Sequence, residues 1–230
     1  MRRVLKLTLL LGAAVGLYQA VALANGSAMP SAPMSSASAP SMTPLDMARE
    51  AYNSGISHKN KAAKFEDDAE KQAAKDRDKT MLKAKDEYGK ALKDFKKAAD
   101  LVPELYQAYN GMGFAYRKTG DYTKALEMYD KALQLAPDFP DAIEYRGEAF
   151  LALNRIEDAK KAYLSLFAKD RAQADQLMKA MQTWVGKRQA DPAGVDPAAV
   201  SSLDSWIKER ATIASVTVEM GLSSNQSAWK

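Results

Sequence analysis

The residue types that carry most enzyme chemistry are scarce in this sequence of 230 residues. It contains no cysteine, which excludes thiolate catalysis, disulfides and cysteine-based zinc sites. Its single histidine, His58, cannot build a multi-histidine metal site, and we interpret it as an interior or boundary side chain. Adjacent acids such as Asp67 and Asp68 lie among lysines, a pattern typical of a solvated helix face. Because no dinucleotide-binding, P-loop or Gly-x-Ser-x-Gly sequence occurs either, we predict a protein that is not an enzyme and that uses no cofactor and no metal ion.

The first 24 residues have the pattern of a secretory signal peptide. A basic start is followed by an apolar stretch from Leu7 to Leu17, which is too short to span a bilayer comfortably. Small residues at Ala22 and Ala24 suit cleavage after Ala24. We therefore predict a bacterial protein that is exported to the periplasm and has no integral membrane span after cleavage. The alternative is an uncleaved segment that anchors the protein in the inner membrane and leaves it facing the periplasm.

The charge of the chain points to no nucleic-acid partner. The formal net charge of +4 comes from 33 basic and 29 acidic residues. Without Arg2, Arg3 and Lys6 of the signal segment, 30 basic residues face the same 29 acidic ones, and the balance falls to +1. The basic excess is therefore mostly a targeting feature. Residues 25–44 follow, and they are predicted to be a disordered linker because they consist almost wholly of Ser, Ala, Pro, Met and Gly.

The helices that would position a binding site are indicated by a repeat of 34 residues. Small residues, aromatic rings, glycine and proline each recur at this spacing. The recurring sets are Ala91, Ala125 and Ala159; Phe95, Tyr129 and Tyr163; Gly113 and Gly147; and Pro103 and Pro137. Since proline cannot continue a helix, each period is predicted to be a hairpin of two helices that ends at a proline.

Residues 106–139 form the best example of this unit. Its first helix carries Tyr109, Met112, Gly113 and Tyr116 on one face, and its second helix carries Ala125, Tyr129 and Ala132 before Pro137. This pattern closely resembles a tetratricopeptide repeat (TPR). The next unit, residues 140–170, resembles it through Gly147, Phe150, Ala159 and Tyr163. That unit departs from the pattern at Leu166 and Arg171, so we expect its second helix to pack differently or to run longer.

The first unit, residues 45–105, is interrupted. Its second helix matches the pattern, but Gly55 lies 36 residues before Ala91, whereas Gly113 lies 12 before Ala125. About 24 residues are therefore extra, and lengthening both helices by about 12 residues would project an arm of about 18 Å. Residues 59–87 favour helix because they are rich in Ala, Lys, Glu and Asp. The alternative is a charged, partly disordered loop.

The chain after the repeats is predicted to form a helical cap at residues 171–221. Its first helix includes Trp184 at the spacing of an apolar face, and we interpret this side chain as core rather than as a partner-binding aromatic. A second helix is predicted to begin at Pro197 and to end at Gly221, with a loose tail at 222–230. The predicted fold is all-α: a right-handed solenoid of about three TPR-like helical hairpins, the first with elongated helices, followed by capping helices at the C-terminus.

The resemblance implies a concave groove that is lined by the first helix of each unit and binds a peptide or protein segment. The second unit is expected to offer Gln107, Asn110, Phe114, Arg117 and Lys118. The third unit is expected to offer Asp141, Glu144, Glu148 and Leu151. We expect a bipolar groove, basic near Arg117 and Lys118 and acidic along the third unit, with Glu144 and Glu148 at the solvent face. TPRs that grip acidic C-termini line this face with Lys, Arg and Asn, so the acidic third unit argues against such ligands.

Two functions follow from this reading. The first is a periplasmic TPR scaffold or adaptor, with no enzyme activity, that binds a partner protein or peptide in the groove. The second is a structural or assembly protein of the cell envelope that associates with itself through the arm and the C-terminal helices, which would make it a homo-oligomer. The groove charges would then serve only solubility.

Overall fold

The structure is a computed structural model that describes residues 42–227, with side chains described as far as residue 213. The predicted signal peptide and nearly all of the predicted linker lie outside the described residues. Eight α-helices and no strand make up the part that is described. They are α1 (Pro44–Glu70), α2 (Ala74–Leu101), α3 (Tyr106–Thr119), α4 (Tyr122–Leu135), α5 (Pro140–Ala152), α6 (Ile156–Lys169), α7 (Arg171–Ala190) and α8 (Pro197–Ser227). The predicted all-α fold is confirmed, and consecutive helices pack in chain order.

The first hairpin is longer than the two that follow. Its first helix begins with a capping box, in which the Thr43 hydroxyl accepts a hydrogen bond from the Asp46 backbone and Asp46 accepts in return. Helix α1 has 27 residues and α3 has 14, so α1 is longer by 13 residues, or about 20 Å. Residues 59–70 and 74–87 are helical, so the predicted elongation is confirmed and the alternative of a disordered loop is not what the structure shows. We call residues 59–87 the arm. The three-residue turn between α1 and α2 forms its tip.

The glycine columns of the repeat exist because a ring or a branched side chain lies against each of them. A Cβ on Gly113 would lie 2.6 Å from the Tyr129 ring, and one on Gly55 would lie 2.6 Å from the Phe95 ring. Gly55 is therefore the structural counterpart of Gly113, as the sequence comparison predicted. A Cβ on Gly147 would lie 2.6 Å from Leu177 of α7 instead, because α7 fits against α5.

The C-terminal helices continue the stack rather than merely covering its end. Asp170 caps α7 by accepting a hydrogen bond from the Gln173 backbone, and α7 packs on both α5 and α6 as a further first helix would. Leu166 is fully buried beneath it, which explains why a large residue replaces the expected small one. Helix α8 runs to Ser227, past its predicted end at Gly221, since one glycine costs a helix about 1 kcal/mol without stopping it.

Candidate binding groove

An open groove of 690 Å³ lies beside the C-terminal halves of α3, α5 and α7. Four of the nine predicted groove residues line it: Arg117, Lys118, Glu148 and Leu151. The other five occupy the same faces of α3 and α5, nearer to the helix N-termini. Four of them precede a lining residue by three, four or seven positions, and Gln107 lies seven positions before Phe114. The structure therefore joins part of the predicted set into one cavity and places the remainder beside it.

Sequence reasoning missed the residues that α2 and α7 contribute to this groove. Met81 approaches from the arm, and Trp184 and Lys187 approach from α7. Trp184 is 8% exposed, so it is a core side chain, as interpreted, and also part of the groove wall. A signal was present, because Trp184 lies 34 residues after Phe150, which itself lies 34 after Tyr116. The glycine of the repeat is not kept in α7, where Met181 stands 34 residues after Gly147.

Arg117 holds the centre of the groove together. Its guanidinium forms an ion pair with Glu148, which joins α3 to α5. The same group lies 5.2 Å from the ring centroids of both Phe114 and Tyr145, a distance at which cation–π attraction operates. A charge held by a carboxylate and two rings is preorganised, so the predicted basic end is a fixed feature of the wall.

The second predicted cation of the groove is held by the arm. Lys118 Nζ lies 2.6 Å from a carboxylate oxygen of Glu66 in α1. The Tyr88 hydroxyl donates a hydrogen bond of 2.9 Å to the same carboxylate. Lys187 on the facing wall is exposed, and no ion pair joins it to another side chain in the part of the chain that is described. Both predicted cations of the basic end are therefore engaged by carboxylates, and Lys187, which was not predicted, adds an exposed cation on the facing wall.

Glu144 contradicts the prediction that the acidic residues of the third unit are at the solvent face. The residue is 1% exposed because α5 packs between neighbouring helices, among them α4 and α7. Burial raises the pKa of its carboxyl to about 9. The hydrogen bond that the protonated carboxyl donates to Glu148, and the negative charge of Glu148, act in the same direction. The predicted acidic trio is therefore three different groups: Glu148 is paired, Glu144 is buried, and Asp141 accepts a hydrogen bond of 2.7 Å from the Gln173 amide.

The N-terminal half of the groove face is rich in acceptors without donors. Within residues 42–213, no hydrogen-bond donor reaches the buried atoms Gln107 Oε1, Asn110 Oδ1 or Glu144 Oε2. Asn110 is 9% exposed and Glu144 is 1% exposed, so water does not readily supply the missing donors. The same face also holds a buried donor without an acceptor, Arg117 Nε, so both kinds of unpaired atom occur there, and each costs free energy.

A second buried carboxylate lies in the arm, and it is fully satisfied. Glu87 accepts hydrogen bonds from Lys61 at 2.9 Å and Lys90 at 2.7 Å, and His58 Nδ1 lies 2.6 Å from its other oxygen. Bonds from Lys90, His58 and Lys61, in that order, lower its pKa to about 2. The signal for this site is the spacing of Glu87 on the buried stripe of α2, between Ala84 and Ala91, where a charge needs partners.

The candidate groove is not accompanied by features of a metal or membrane site in the described residues. Between residues 42 and 213, histidine, aspartate and glutamate side chains form no group of three that could hold a metal ion. None of the helices described is both long enough and apolar enough to cross a membrane.

Comparison with known proteins confirms the repeat at the centre of the chain. Residues 106–139 match the family model of the tetratricopeptide repeat, so the predicted unit is a TPR. No curated protein sequence matches the chain.

Solved structures with a similar backbone are TPR domains of other proteins. The TPR2B-domain:pHsp70 complex of yeast Sti1 has 15% identity and a TM-score of 0.38, covering 71% of this chain and 98% of that one. The first TPR of Spaghetti (RPAP3), bound to the HSP90 peptide SRMEEVD, has 21% identity and a TM-score of 0.40, covering 57% and 94%. The Sgt2 TPR domain from Aspergillus fumigatus has 21% identity and a TM-score of 0.41, covering 60% and 85%.

Proposed function

We propose that this protein is an adaptor, without enzyme activity, that binds a segment of a partner protein in the groove beside α3, α5 and α7. The observation that carries the proposal is the 690 Å³ groove itself, whose walls come from five helices, α2, α3, α4, α5 and α7. An open cavity suits a peptide segment better than a small metabolite, which is usually enclosed by its site.

The side chains that line the groove suit a partner segment that has both apolar and charged residues. Met81, Leu151 and Trp184 offer apolar surface, while Arg117 and Lys187 offer charge. Because the repeat helices, the arm and α7 all contribute, the groove is specific to this chain rather than common to every TPR stack. The arm and the third hairpin therefore both take part in recognition.

The signal-like N-terminus supports a periplasmic setting for this adaptor. Expressed in a Gram-negative host, the protein should mature to begin at Asn25 and fractionate with soluble periplasmic proteins. Recovery of the full-length chain in the membrane fraction would replace this proposal with an anchored form.

Photo-cross-linking from the groove wall tests the adaptor. Thr183 is exposed and lines the groove, whereas Leu164 is 46% exposed on α6 and does not. We expect a photoreactive residue at Thr183 to capture a partner in the periplasm and the same residue at Leu164 not to capture it. Ala180→Trp, which fills the groove, should abolish capture, and the matched Ala172→Trp at an exposed site of α7 should not. Equal capture from both positions, or capture that survives Ala180→Trp, would remove the groove as the binding surface.

Self-association through the arm is the second candidate, and two exposed apolar side chains favour it. Met81 is 43% exposed and Leu82 is 64% exposed, on adjacent positions of α2. Light scattering of the mature protein should show a dimer or larger species if this surface is an interface. Leu82→Glu should then restore the monomer, and Leu45→Glu, at a residue that is 54% exposed near the start of α1, should not.

A further inference from the structure

We propose that this protein forms a symmetric dimer in which helix α2 packs antiparallel against helix α2 of a second copy. Leu82 of each copy then fills a hollow at Gly89 of the other copy. The inference rests on the second candidate function, self-association through the arm. It deepens that function by naming the helix face, the direction and the register of the contact.

An exposed apolar side chain and an open hollow lie on the same face of α2. Leu82 is 64% exposed. Gly89 follows seven residues later, which places it two turns further along the same face. A Cβ on Gly89 would meet nothing within 4 Å, and Gly89 lines an open cavity of 630 Å³ between α2 and the C-terminal end of α3. A side chain from outside the molecule can therefore approach the backbone of α2 at this point.

Gly89 is also unfavourable for the helix in which it stands. Glycine in a helix interior is less favourable than alanine by about 0.8–1 kcal/mol. Gly55, Gly113 and Gly147 are explained because a ring or a leucine lies against each of them. Gly89 has no such neighbour among the described residues, so packing within the chain does not account for it.

The residues around this contact complement themselves when the helix is reversed. In an antiparallel pair centred between residues 85 and 86, residues that are equally far from the centre on its two sides meet each other. Leu82 then meets Gly89, Lys85 meets Asp86, and Asp78 meets Lys93. Because a two-fold axis repeats every contact, the dimer gains four pairs of opposite charge.

The charged side chains of this face are available for such pairs. All four are exposed, and no ion pair engages them in the part of the chain that is described: Asp78, Lys85, Asp86 and Lys93. The face from residue 78 to residue 93 is about 22 Å long. Beyond it, Lys75 would approach Lys96 of the second copy, but Asp100 pairs with Lys96 at 2.6 Å and offsets part of that repulsion.

A second copy fits this face better than an unrelated helix does. A partner helix must present acidic and basic residues in the reverse order of those on α2. It must also place a large apolar residue opposite Gly89 and a small residue opposite Leu82. The sequence of α2 itself, read backwards, meets each of these requirements.

The dimer contact and the groove use different residues. Neither Leu82 nor Gly89 lines the 690 Å³ groove, and the four charged residues of the contact do not line it either. One dimer therefore carries two grooves, so a partner that has two binding segments would be held more tightly than by one copy.

Sedimentation equilibrium of the mature protein at low salt tests the dimer, since salt screens ion pairs at an exposed interface. We expect a dimer for the wild type and a monomer for Gly89→Leu, which fills the hollow. The fold of this variant should be intact, because a Cβ at Gly89 meets nothing within 4 Å. Gly186→Leu on α7 is the matched control. A Cβ there also meets nothing, but Lys179 rather than a leucine lies two turns before it, and this variant should remain a dimer.

An exchange of charges tests the direction and the register. Lys85→Glu brings a carboxylate against Asp86 of the second copy at two symmetric places, and it should weaken the dimer about tenfold. The double variant Lys85→Glu with Asp86→Lys exchanges the two charges and keeps the composition of the chain. It should restore the affinity of the wild type.

A dimer that persists in Gly89→Leu, or that the double exchange fails to restore, would overturn this interface. If Leu82→Glu still dissociates such a dimer, self-association through the arm stands but its register is a different one. A wild type that is monomeric at about 100 µM would overturn both the interface and the second candidate function. The adaptor is tested separately, by capture from Thr183.

Discussion

The arm and the third hairpin each bury one glutamate, and the two glutamates have opposite surroundings. Glu87 in the arm is 4% exposed and has three partners, His58, Lys61 and Lys90, within 2.9 Å. Glu144 in α5 is 1% exposed, and one of its oxygens has no donor in the described residues. Their pKa values move accordingly, to about 2 for Glu87 and to about 9 for Glu144.

This difference separates a carboxylate that the fold keeps charged from a carboxyl that the fold keeps neutral. In the arm, the chain supplies every partner that the carboxylate needs, and the network holds α1 against α2. In α5, no hydrogen-bond partner among the described residues reaches the Oε2 atom of Glu144, which lies on the same helix face as the groove residue Glu148. A buried polar group that the fold satisfies only in part contributes little to stability and costs free energy if it must ionise.

The largest loss of stability is expected when a positive charge is introduced at the buried position of Glu144. Glu144→Lys would bury an ammonium beside Arg117, and we expect it to lower the free energy of unfolding by about 3–5 kcal/mol. The measurement is urea denaturation followed by circular dichroism. Glu157→Lys is the control, because the Glu157 side chain is 76% exposed and its surface pair contributes less than about 1 kcal/mol. Equal losses for the two variants would mean that Glu144 is not enclosed.

Gly147 in the third hairpin and Gly89 in the first hairpin differ in how closely neighbouring side chains pack against them. Gly147→Leu on α5 should cost about 1–3 kcal/mol, because even a Cβ there would lie 2.6 Å from Leu177. A Cβ on Gly89 of α2 would meet nothing within 4 Å, so Gly89→Leu should stabilise this helix by up to about 1 kcal/mol. Thermal melting of both variants gives the sign directly. Unchanged melting of Gly147→Leu would show that α7 does not press on α5 at this point.

The helical hairpins could be predicted from the sequence because their packing residues recur along the chain. Gly113 and Gly147, and Tyr129 and Tyr163, lie 34 residues apart because consecutive hairpins place a small residue of the first helix at a close contact and a ring of the second helix in the core. The elongated first hairpin followed from counting residues between Gly55 and Ala91 and from the helical composition of the insertion. The spacing of residue types and the number of residues between them were sufficient to predict the repeated hairpins and the elongation of the first one.

The features that were missed depend on how distant segments meet. Met81 reaches the groove only because the arm extends beside α3, and Lys187 reaches it only because α7 acts as a further first helix. Glu144 was predicted to be exposed because its repeat position faces a groove in the family pattern, and that pattern does not record how closely α4 and α7 approach α5. His58 and Glu87 are 29 residues apart, and their contact depends on the register of two long helices.

A smaller loss of stability is expected when Glu87, the fully hydrogen-bonded glutamate of the arm, is neutralised. Glu87→Gln removes the charge but keeps the shape, and we expect a loss of about 1–2 kcal/mol, typical of hydrogen bonds to charged groups. The pKa of Glu87 is lowered on folding, so its contribution is present above pH 4.5 and is lost as the pH falls towards 2. The stabilities of the wild type and the variant should therefore converge in acid. Glu104→Gln, at an exposed position between α2 and α3, should match the wild type throughout.

The smallest effect is the slope of stability against pH that Glu144 produces, and its sign is opposite to that of Glu87. The pKa of Glu144 is raised on folding, so between pH 4.5 and about 9 the folded chain binds a proton that the unfolded chain has released. Stability therefore falls as the pH rises, by at most about 1.4 kcal/mol per pH unit for one proton. Glu144→Gln cannot titrate, so between pH 6 and pH 7 we expect the wild type to lose about 1 kcal/mol relative to this variant. Other titrating groups are common to both proteins and cancel in the difference. Parallel stability profiles over pH 5–8 would show that Glu144 is ionised in the folded protein, and the arm and the groove would then treat their buried carboxyls alike.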